Sequence, residues 1–136
     1  MVAVGKEQWE SDGALFDSLA GALKSLGKGG CRAVLWHQGE SDANQADRTW
    51  TVPGPPYRAN LGRMIGDSRL AAGWPVPWFV AQVTYHVPGD EFSPEIRLAQ
   101  RQIWEAGLAM EGPDTDALTG EMQERCGGHF SADRDG

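Results

Sequence analysis

Basic side chains and long apolar runs are scarce in this sequence, and each shortage excludes a class of partner. The 136 residues include 12 Lys and Arg against 19 Asp and Glu, for a formal net charge of −7. Nucleic acids and anionic membrane surfaces bind basic faces, so neither is a predicted partner. No stretch approaches the roughly 20 apolar residues that a membrane-spanning helix needs. Residues Met1–Gly5 do not have the pattern of a secretory signal, and the compartment stays open.

Cysteine is also scarce, since the chain has only Cys31 and Cys126. A disulfide between them and two free thiols are both compatible with the sequence. A zinc site can be drawn from these two residues with His37 and His129, but no tight second pair of ligands accompanies the Cys-x-x-His pair. We therefore predict no metal and no cofactor.

The rest of the composition is that of one globular domain. Hydrophobic residues make up 40% of the chain, which is ordinary for a folded domain and too high for a disordered one. No linker, internal repeat or low-complexity segment interrupts the chain, so residues 1–136 are treated as one domain.

Helical and strand patterns alternate along the chain. The predicted elements are, in order, a helix Ala14–Leu26, a strand Ala33–Trp36, a helix Tyr57–Leu70, a strand Pro77–Thr84, a helix from the N-cap Ser93 to about Leu108, and a weaker strand Thr115–Leu118. Gly27 is predicted to end the first helix, and Leu61, Met64 and Ile65 to face the core from the second. The alternation predicts a parallel sheet with crossover helices, and the unbroken apolar runs predict strands buried on both faces.

Polar residues crowd the segment after the first predicted strand. Trp36–Asn44 reads WHQGESDAN, and burying such groups unpaired costs about 1–3 kcal/mol each. In a parallel sheet, functional residues gather beyond the carboxyl ends of the strands. Two candidate sites lie there, His37–Glu40 and Thr84–His86. From the residues alone, a loop whose side chains only satisfy one another is an equal alternative.

The segment Val34–Ala43 (VLWHQGESDA) resembles the signature of the SGNH-type carbohydrate esterases, in particular of the sialate O-acetylesterase-like and acetylxylan esterase group, carbohydrate esterase family six. Later segments resemble that group in the same order: the core strand Pro77–Val83, the helix Ile96–Gln102 and the histidine block Gly128–Ser131. The resemblance spans most of the chain. It implies a flavodoxin-like parallel sheet of the SGNH hydrolase type, with crossover helices.

The resemblance also implies roles for the HQGE segment. Gln38 matches the catalytic glutamine that helps to form the oxyanion hole, and Gly39 would let the backbone of this loop approach closely. Glu40, grouped with the catalytic residues, matches a glutamate that holds the loop through hydrogen bonds to backbone amides. His37 and Ser41 are supporting residues, and Ser41 matches no nucleophile.

His129 matches the catalytic general base of the family, which takes the serine proton and returns it to the leaving alcohol. Three positions before it stands Cys126, where the family has an aspartate. A cysteine does not stabilise an imidazolium as a carboxylate does, so the acid partner stays open. The acidic residues nearby in the sequence are Asp114, Asp116, Glu121 and Glu124.

The family's nucleophile, a serine in a Gly-x-Ser block after the first strand, has no match upstream of Trp36. The serines in that part lie on or beside the first helix: Ser11, Ser18 and Ser25. Gly66–Ser68 reads Gly-Asp-Ser, but it ends a helical pattern and follows the oxyanion segment. No nucleophile is identified. We therefore expect residues 1–136 to form a partial esterase domain that lacks the first strand and the C-terminal helix and is inactive by itself.

The resemblance implies a parent carboxylic-ester hydrolase that removes O-acetyl groups from carbohydrates, of the sialate or xylan type, through a Ser-His relay without a metal. The implied partner is an acetylated carbohydrate. Without its first strand the sheet would have unpaired edges, including that of Ala33–Trp36, and we expect oligomerisation through them. Two alternatives stay open: a non-catalytic carbohydrate-binding domain, with Trp50 and Trp74 as stacking platforms, and a structural domain.

Overall fold

Three helices alternate with three strands over the residues that the computed structural model describes, which are 9–10, 13–43, 49, 51–85 and 92–118. In chain order the elements are α1 (Ala14–Leu26), β1 (Val34–Trp36), α2 (Gly54–Ala72), β2 (Trp78–Gln82), α3 (Pro94–Glu105) and β3 (Met110–Asp114). The alternation confirms the predicted α/β class. The expected lack of a first strand and of a C-terminal helix stays a prediction, because residues 1–8 and 119–136 lie outside the described residues.

The three strands form one parallel sheet in the order β1-β2-β3. Val34 of β1 lies opposite Trp78 of β2, and Phe79 of β2 lies opposite Met110 of β3. Parallel neighbours need a crossover connection, which α2 supplies between β1 and β2 and α3 between β2 and β3. This is the predicted flavodoxin-like arrangement, and it brings the carboxyl ends of the strands to one edge of the sheet.

Glycine and proline set the ends of α1 and α2. α1 spans the predicted residues and ends before Gly27, whose φ of 69° is in the left-handed region that glycine adopts readily. α2 begins at Gly54 instead of the predicted Tyr57, because Pro55 and Pro56 fit its first turn, where no backbone N–H donor is required. Residues 54–56, which precede the predicted helix, therefore form its first turn.

α3 begins where the sequence predicts. Ser93 caps it by accepting a hydrogen bond from the backbone N–H of Ile96 at 3.4 Å, and Pro94 is its first residue. The helix ends at Glu105, short of the predicted Leu108. None of the described helices combines the length and the apolar character needed to cross a membrane.

The last strand was predicted in the wrong place. β3 is Met110–Asp114, and the predicted strand Thr115–Leu118 is the turn that follows it. The sequence MEGPD has no apolar alternation, so its pairing with β2, rather than local preference, makes this segment a strand. Pro113 lacks an N–H donor, which β3 tolerates because, among the described strands, it pairs only with β2.

The hydrophobic core lies between the helices and one face of the sheet. Trp78 and Val80 of β2 are fully buried and belong to one cluster with residues of α1, α2 and α3. The predicted inner residues of α2, Leu61, Met64 and Ile65, are in this cluster, which confirms their placement. Since buried apolar surface contributes about 25 cal/mol per Å², the cluster is the main stabilising element of the domain.

The opposite face of the sheet is more exposed. Leu35 pairs with Phe79 and Phe79 with Met110, so the three side chains form a row across that face. Leu35 is 78% exposed and Met110 is 44% exposed. The prediction that both faces of β1 are buried is therefore wrong for the face that carries Leu35, since the core cluster lies on the other one. Oligomerisation through the sheet stays a prediction.

Candidate active site

Polar residues follow each of the three strands at the same edge of the sheet. His37 follows β1 directly, Thr84 lies two residues beyond the end of β2, and Thr115 follows β3. Both predicted strand-end sites therefore start at this edge, although His86 of the second lies outside the described residues. Two groups of side chains meet here: residues 37–43, called the Gln38 loop, and the Arg97 cluster, which consists of Gln82, Thr84, Arg97, Asp114 and Asp116.

The side chain of Gln38 is held by a carboxylate. Its Nε2 donates a hydrogen bond to Oδ2 of Asp42 at 2.7 Å, a short distance typical of a charge-assisted bond. Among the described residues, Asp42 is the only hydrogen-bond partner of this side chain. A primary amide has two N–H donors and one acceptor oxygen, so Gln38 keeps one donor available for a further group.

The backbone of Gln38 is held from the other side. Its carbonyl oxygen accepts hydrogen bonds from the Tyr57 hydroxyl at 2.7 Å and from Nε2 of Gln100 at 3.2 Å. The Gln100 side chain also bonds the carbonyl and the N–H of Val83, at 3.1 and 3.2 Å. Burial raises the pKa of Tyr57, so its phenol stays protonated as a donor. Gln100 therefore ties the start of the loop to the chain that follows β2.

Gly39 lies against the end of β2 with no room for a side chain. A Cβ added there would lie 2.1 Å from the carbonyl oxygen of Val83 and 2.6 Å from Nε2 of Gln100. Its N–H donates to Oε2 of Glu40 at 2.9 Å, and its carbonyl oxygen accepts from Asp42 N at 3.1 Å. The loop thus turns back on itself immediately after Gly39. Glu40 makes the kind of backbone hydrogen bond that the resemblance implies, although its part in catalysis stays a prediction.

His37 connects the loop to β3. Its Nε2 lies 2.9 Å from Oγ1 of Thr115, and its Nδ1 lies 3.7 Å from Oε1 of Glu40. The Thr115 hydroxyl also donates to the carbonyl oxygen of Gln82 at 3.1 Å. Because a hydroxyl has one proton and a carbonyl only accepts, the His37–Thr115 bond is made by an Nε2–H donor. Ser41, the other supporting residue, is exposed.

The Arg97 cluster centres on the buried carboxylate of Asp116. Its Oδ1 accepts from the backbone N–H groups of Thr84 and Tyr85, at 2.7 and 2.9 Å. Its Oδ2 accepts from the Thr84 hydroxyl at 2.8 Å and from Nη1 of Arg97 at 2.6 Å. Asp116 is 1% exposed, so these bonds replace the water that the charge has lost.

Arg97 also binds a second, more exposed carboxylate. Its two terminal nitrogens lie 2.9 and 2.7 Å from the two oxygens of Asp114, and Nη2 donates to Oε1 of Gln82 at 2.8 Å. The hydrogen bond from Arg97 lowers the pKa of Asp114, and the same bond raises the pKa of Arg97. The candidate acids Asp114 and Asp116 are therefore both engaged by Arg97.

No described serine offers a free hydroxyl at a strand end: Ser93 caps α3 and Ser41 is exposed, while the three others bond backbone carbonyls. Ser68 is fully buried within α2, and its hydroxyl donates to the carbonyl of Ile65 at 2.8 Å. Ser18 and Ser25 bond carbonyls one turn earlier on α1. None of these three has the strand-end position of a nucleophile. In the described part of the chain, no group of three or more His, Cys, Asp or Glu residues is placed to hold a metal.

Several predicted residues lie outside the described part, so their positions relative to Gln38 stay predictions: His129, Cys126, Glu121 and Glu124. Trp50, one of the two tryptophans considered for sugar stacking, also lies outside. Trp74, the other, packs against the core cluster with its indole nitrogen buried. Carbohydrate binding through Trp74 gains no support from that position, and binding through Trp50 stays a prediction.

The residues that hold the Gln38 loop in place were not predicted from the sequence. The contact of Asp42 could have been predicted, because it lies four residues after Gln38, a spacing that suits a side-chain hydrogen bond across one turn. Tyr57 and Gln100 gave no comparable signal, because they reach Gln38 from α2 and α3. Arg97 was part of a helix that resembled the family, with no role attached to it.

A flavodoxin-like sheet that carries an HQGE loop at its strand ends is the framework of an SGNH-type carbohydrate esterase domain. The family model for carbohydrate esterases described as sialic acid-specific acetylesterases matches residues 2–132. The chain belongs to this family. No curated protein and no solved structure matches it.

Proposed function

We propose that this chain provides the oxyanion-binding part of an active site that removes O-acetyl groups from a carbohydrate, with Gln38 as the donor. The observation that carries the proposal is the Gln38 amide, which lies beyond the end of β1 and is fixed by Asp42. Among the described residues it has no other partner, so one of its N–H groups is unused there. A donor of this kind stabilises the negative oxygen of a tetrahedral intermediate. Such a donor is worth about 3–4 kcal/mol of the activation barrier.

In the proposed reaction, a serine oxygen attacks the acetyl carbonyl carbon while His129 takes the serine proton. The bond between the carbonyl carbon and the sugar oxygen then breaks, and the proton passes from His129 to that oxygen. Water hydrolyses the acetyl-serine in the second half of the reaction and releases acetate. Glu40 and His37 hold the loop during both steps, through Gly39 N–H and Thr115 respectively.

We propose that the attacking serine is not one of the serines of α1 or α2. Ser68 supports this, since its hydroxyl is buried and bonded to its own helix. The nucleophile would come from a strand followed by Gly-x-Ser, placed beside the edge of β1 that pairs with no strand among the described residues. The substrate would be an O-acetylated sugar of the sialate or xylan type, and the family membership supports the carbohydrate acetyl ester in general.

The experiment compares the chain alone with the chain supplied with a strand and a Gly-x-Ser block, as a peptide or as a fusion. The chain alone is expected to hydrolyse p-nitrophenyl acetate at the background rate. The supplemented chain is expected to release acetate from it and from acetylated sugars. Gln38→Ala should then lower kcat by about 10²–10³-fold.

Gln102→Ala is the matched control, because Gln102 is a half-buried glutamine of α3 whose side chain bonds nothing in the described part of the chain. Its kcat should equal that of the parent. Turnover by the chain alone that Ser68→Ala abolishes would contradict the proposal. So would a supplemented chain whose activity survives Gln38→Ala unchanged.

A further inference from the structure

Asp42 is a buried aspartate whose position does not depend on Gln38. It is 6% exposed. Its backbone N–H donates to the Gly39 carbonyl at 3.1 Å, and its own carbonyl accepts from Val52 N at 2.9 Å. These two bonds fix the main chain at Asp42 without any contribution from the glutamine side chain, and they leave its carboxylate within reach of Gln38.

A carboxylate at this position determines the orientation of the Gln38 amide, that is, which side of it carries the nitrogen. The carboxylate only accepts hydrogen bonds, so the amide must turn its nitrogen toward Asp42 and its oxygen elsewhere. One N–H is then used in the 2.7 Å bond to Oδ2. The second N–H has a fixed direction in the plane of the same amide. The flipped amide would present an oxygen where the donor stood, and that oxygen would repel an oxyanion.

We propose that Asp42 is a positioning residue that excludes the flipped amide of Gln38 and keeps its second N–H directed at the developing oxyanion. The proposal rests on the proposed role of Gln38 as the oxyanion donor. It assigns Asp42 no contact with the substrate. The hydrogen bonds to the Gln38 carbonyl from Tyr57 and Gln100 fix the backbone, and Asp42 fixes the remaining freedom of the side chain.

The chemistry of the proposal makes asparagine and alanine different at this position. An asparagine amide both donates and accepts, so Asp42→Asn would accept either orientation of Gln38. Asp42→Ala would leave the amide without a partner. A purely structural role for the buried carboxylate would change the stability in both variants without changing the orientation of Gln38.

The first test is NMR on the uniformly labelled full chain. The side-chain amide pair of Gln38, assigned by its loss in Gln38→Leu, should show a nuclear Overhauser effect to the β-hydrogens of Asp42. One of its two hydrogens should be shifted downfield by the carboxylate, while the pair of Gln102 stays in the ordinary range. In Asp42→Ala the separation between the two Gln38 hydrogens should shrink to that of Gln102.

The matched control is Asp17→Asn, which removes the charge of an exposed aspartate of α1 and should leave the Gln38 pair unchanged. A folded Asp42→Ala protein with an unaltered Gln38 pair would overturn the proposal. If that variant does not fold, the parent protein decides alone, because a missing Overhauser effect between Gln38 and Asp42 would overturn it as well.

The link to catalysis is tested in the supplemented chain that hydrolyses p-nitrophenyl acetate. Asp42→Asn is expected to lower kcat by up to about 10²-fold, as a misdirected catalytic group does, and to leave KM unchanged. An unchanged kcat would overturn the positioning role in the reaction. A supplemented chain that shows the NMR signature but no hydrolysis would instead refute the proposed function, so the two failures are distinguishable.

Discussion

The Gln38 loop and the Arg97 cluster lie at the same edge of the sheet, yet they use their polar groups differently. In the Arg97 cluster, the buried carboxylate of Asp116 accepts hydrogen bonds on both oxygens. In the Gln38 loop, the glutamine amide has one described partner and keeps donor capacity. A fully paired group lowers the free energy of the fold, whereas a fixed group with an unused donor is prepared for a ligand. The Arg97 cluster therefore has the features of a stabilising element, and the Gln38 loop has those that its proposed oxyanion-binding role requires.

The two regions are connected by side chains that bond to both of them. Thr115 precedes Asp116 and bonds both the Gln82 carbonyl and the His37 ring. The position of His37 is thus set partly by the cluster. Gln100 provides a second connection, since it bonds both Val83 and the Gln38 carbonyl. We expect damage to the cluster to lower the stability of the whole domain, and damage to the loop to have more local effects.

The largest loss of stability is expected for Asp116→Ala. The change removes the acceptor to which the buried N–H groups of Thr84 and Tyr85 donate, and it removes one partner of Arg97. Breaking a buried pair in this way costs about 3–5 kcal/mol, which is a large share of the stability of a small domain. Urea unfolding measures the loss. Asp114→Ala is the control, because its more exposed side chain should cost less than about 1 kcal/mol; equal losses would contradict the comparison.

A smaller loss is expected for Gly39→Ala. The added methyl group would meet the Val83 carbonyl oxygen and the Gln100 amide, so the loop has to move away from β2. Such overpacking costs about 1–3 kcal/mol. Thermal unfolding and amide exchange of the loop would detect the change. Gly66→Ala is the matched control: a methyl group there meets nothing within 4 Å, and alanine in the interior of a helix should stabilise.

Gln100→Leu should cost slightly less, about 1–2 kcal/mol, because it leaves Val83 N–H and one bond of the Gln38 carbonyl unmade in a buried place. The effect should be local. Hydrogen exchange should become faster in the Gln38 loop and stay unchanged in α1. Gln102→Leu, at a half-buried position of the same helix, should change neither stability nor exchange, and a similar response in both variants would argue against the role given to Gln100.

The smallest effect is expected from the pH dependence of the Arg97–Asp114 pair. The bond from Arg97 lowers the folded pKa of Asp114 below the ordinary 3.8. The stability that the Arg97–Asp114 pair contributes is therefore fully present above pH 3.8. It is lost as the pH falls through the lower folded pKa of Asp114, while Arg97 stays protonated throughout. Denaturant unfolding at a series of acidic pH values should show a shallower decline for Asp114→Asn than for the parent protein. Identical pH profiles would contradict the assignment.

Local patterns in the sequence were enough to predict most of the elements. The helical spacing of apolar residues and Gly27 define the bounds of α1, and Ser93 with Pro94 defines the start of α3. The HQGE segment was placed correctly beyond β1, because a short apolar run followed by polar residues marks the end of a buried strand. β3 was not predicted, because MEGPD has neither an apolar run nor an alternation of apolar and polar residues that would mark a strand.

What the sequence by itself determined is the order of helices and strands, the family and the segment that holds Gln38. What only the tertiary structure decided is which polar groups meet: Gln100 bonds the Gln38 carbonyl across 62 positions, and Asp116 bonds Thr84 across 32. The physical reason is that apolar spacing acts over one or two turns, whereas these contacts depend on strand register and on the crossovers through α2 and α3. Each residue type has a fixed set of hydrogen-bond donors and acceptors, but the partners that they bind depend on how the sheet aligns the strand ends.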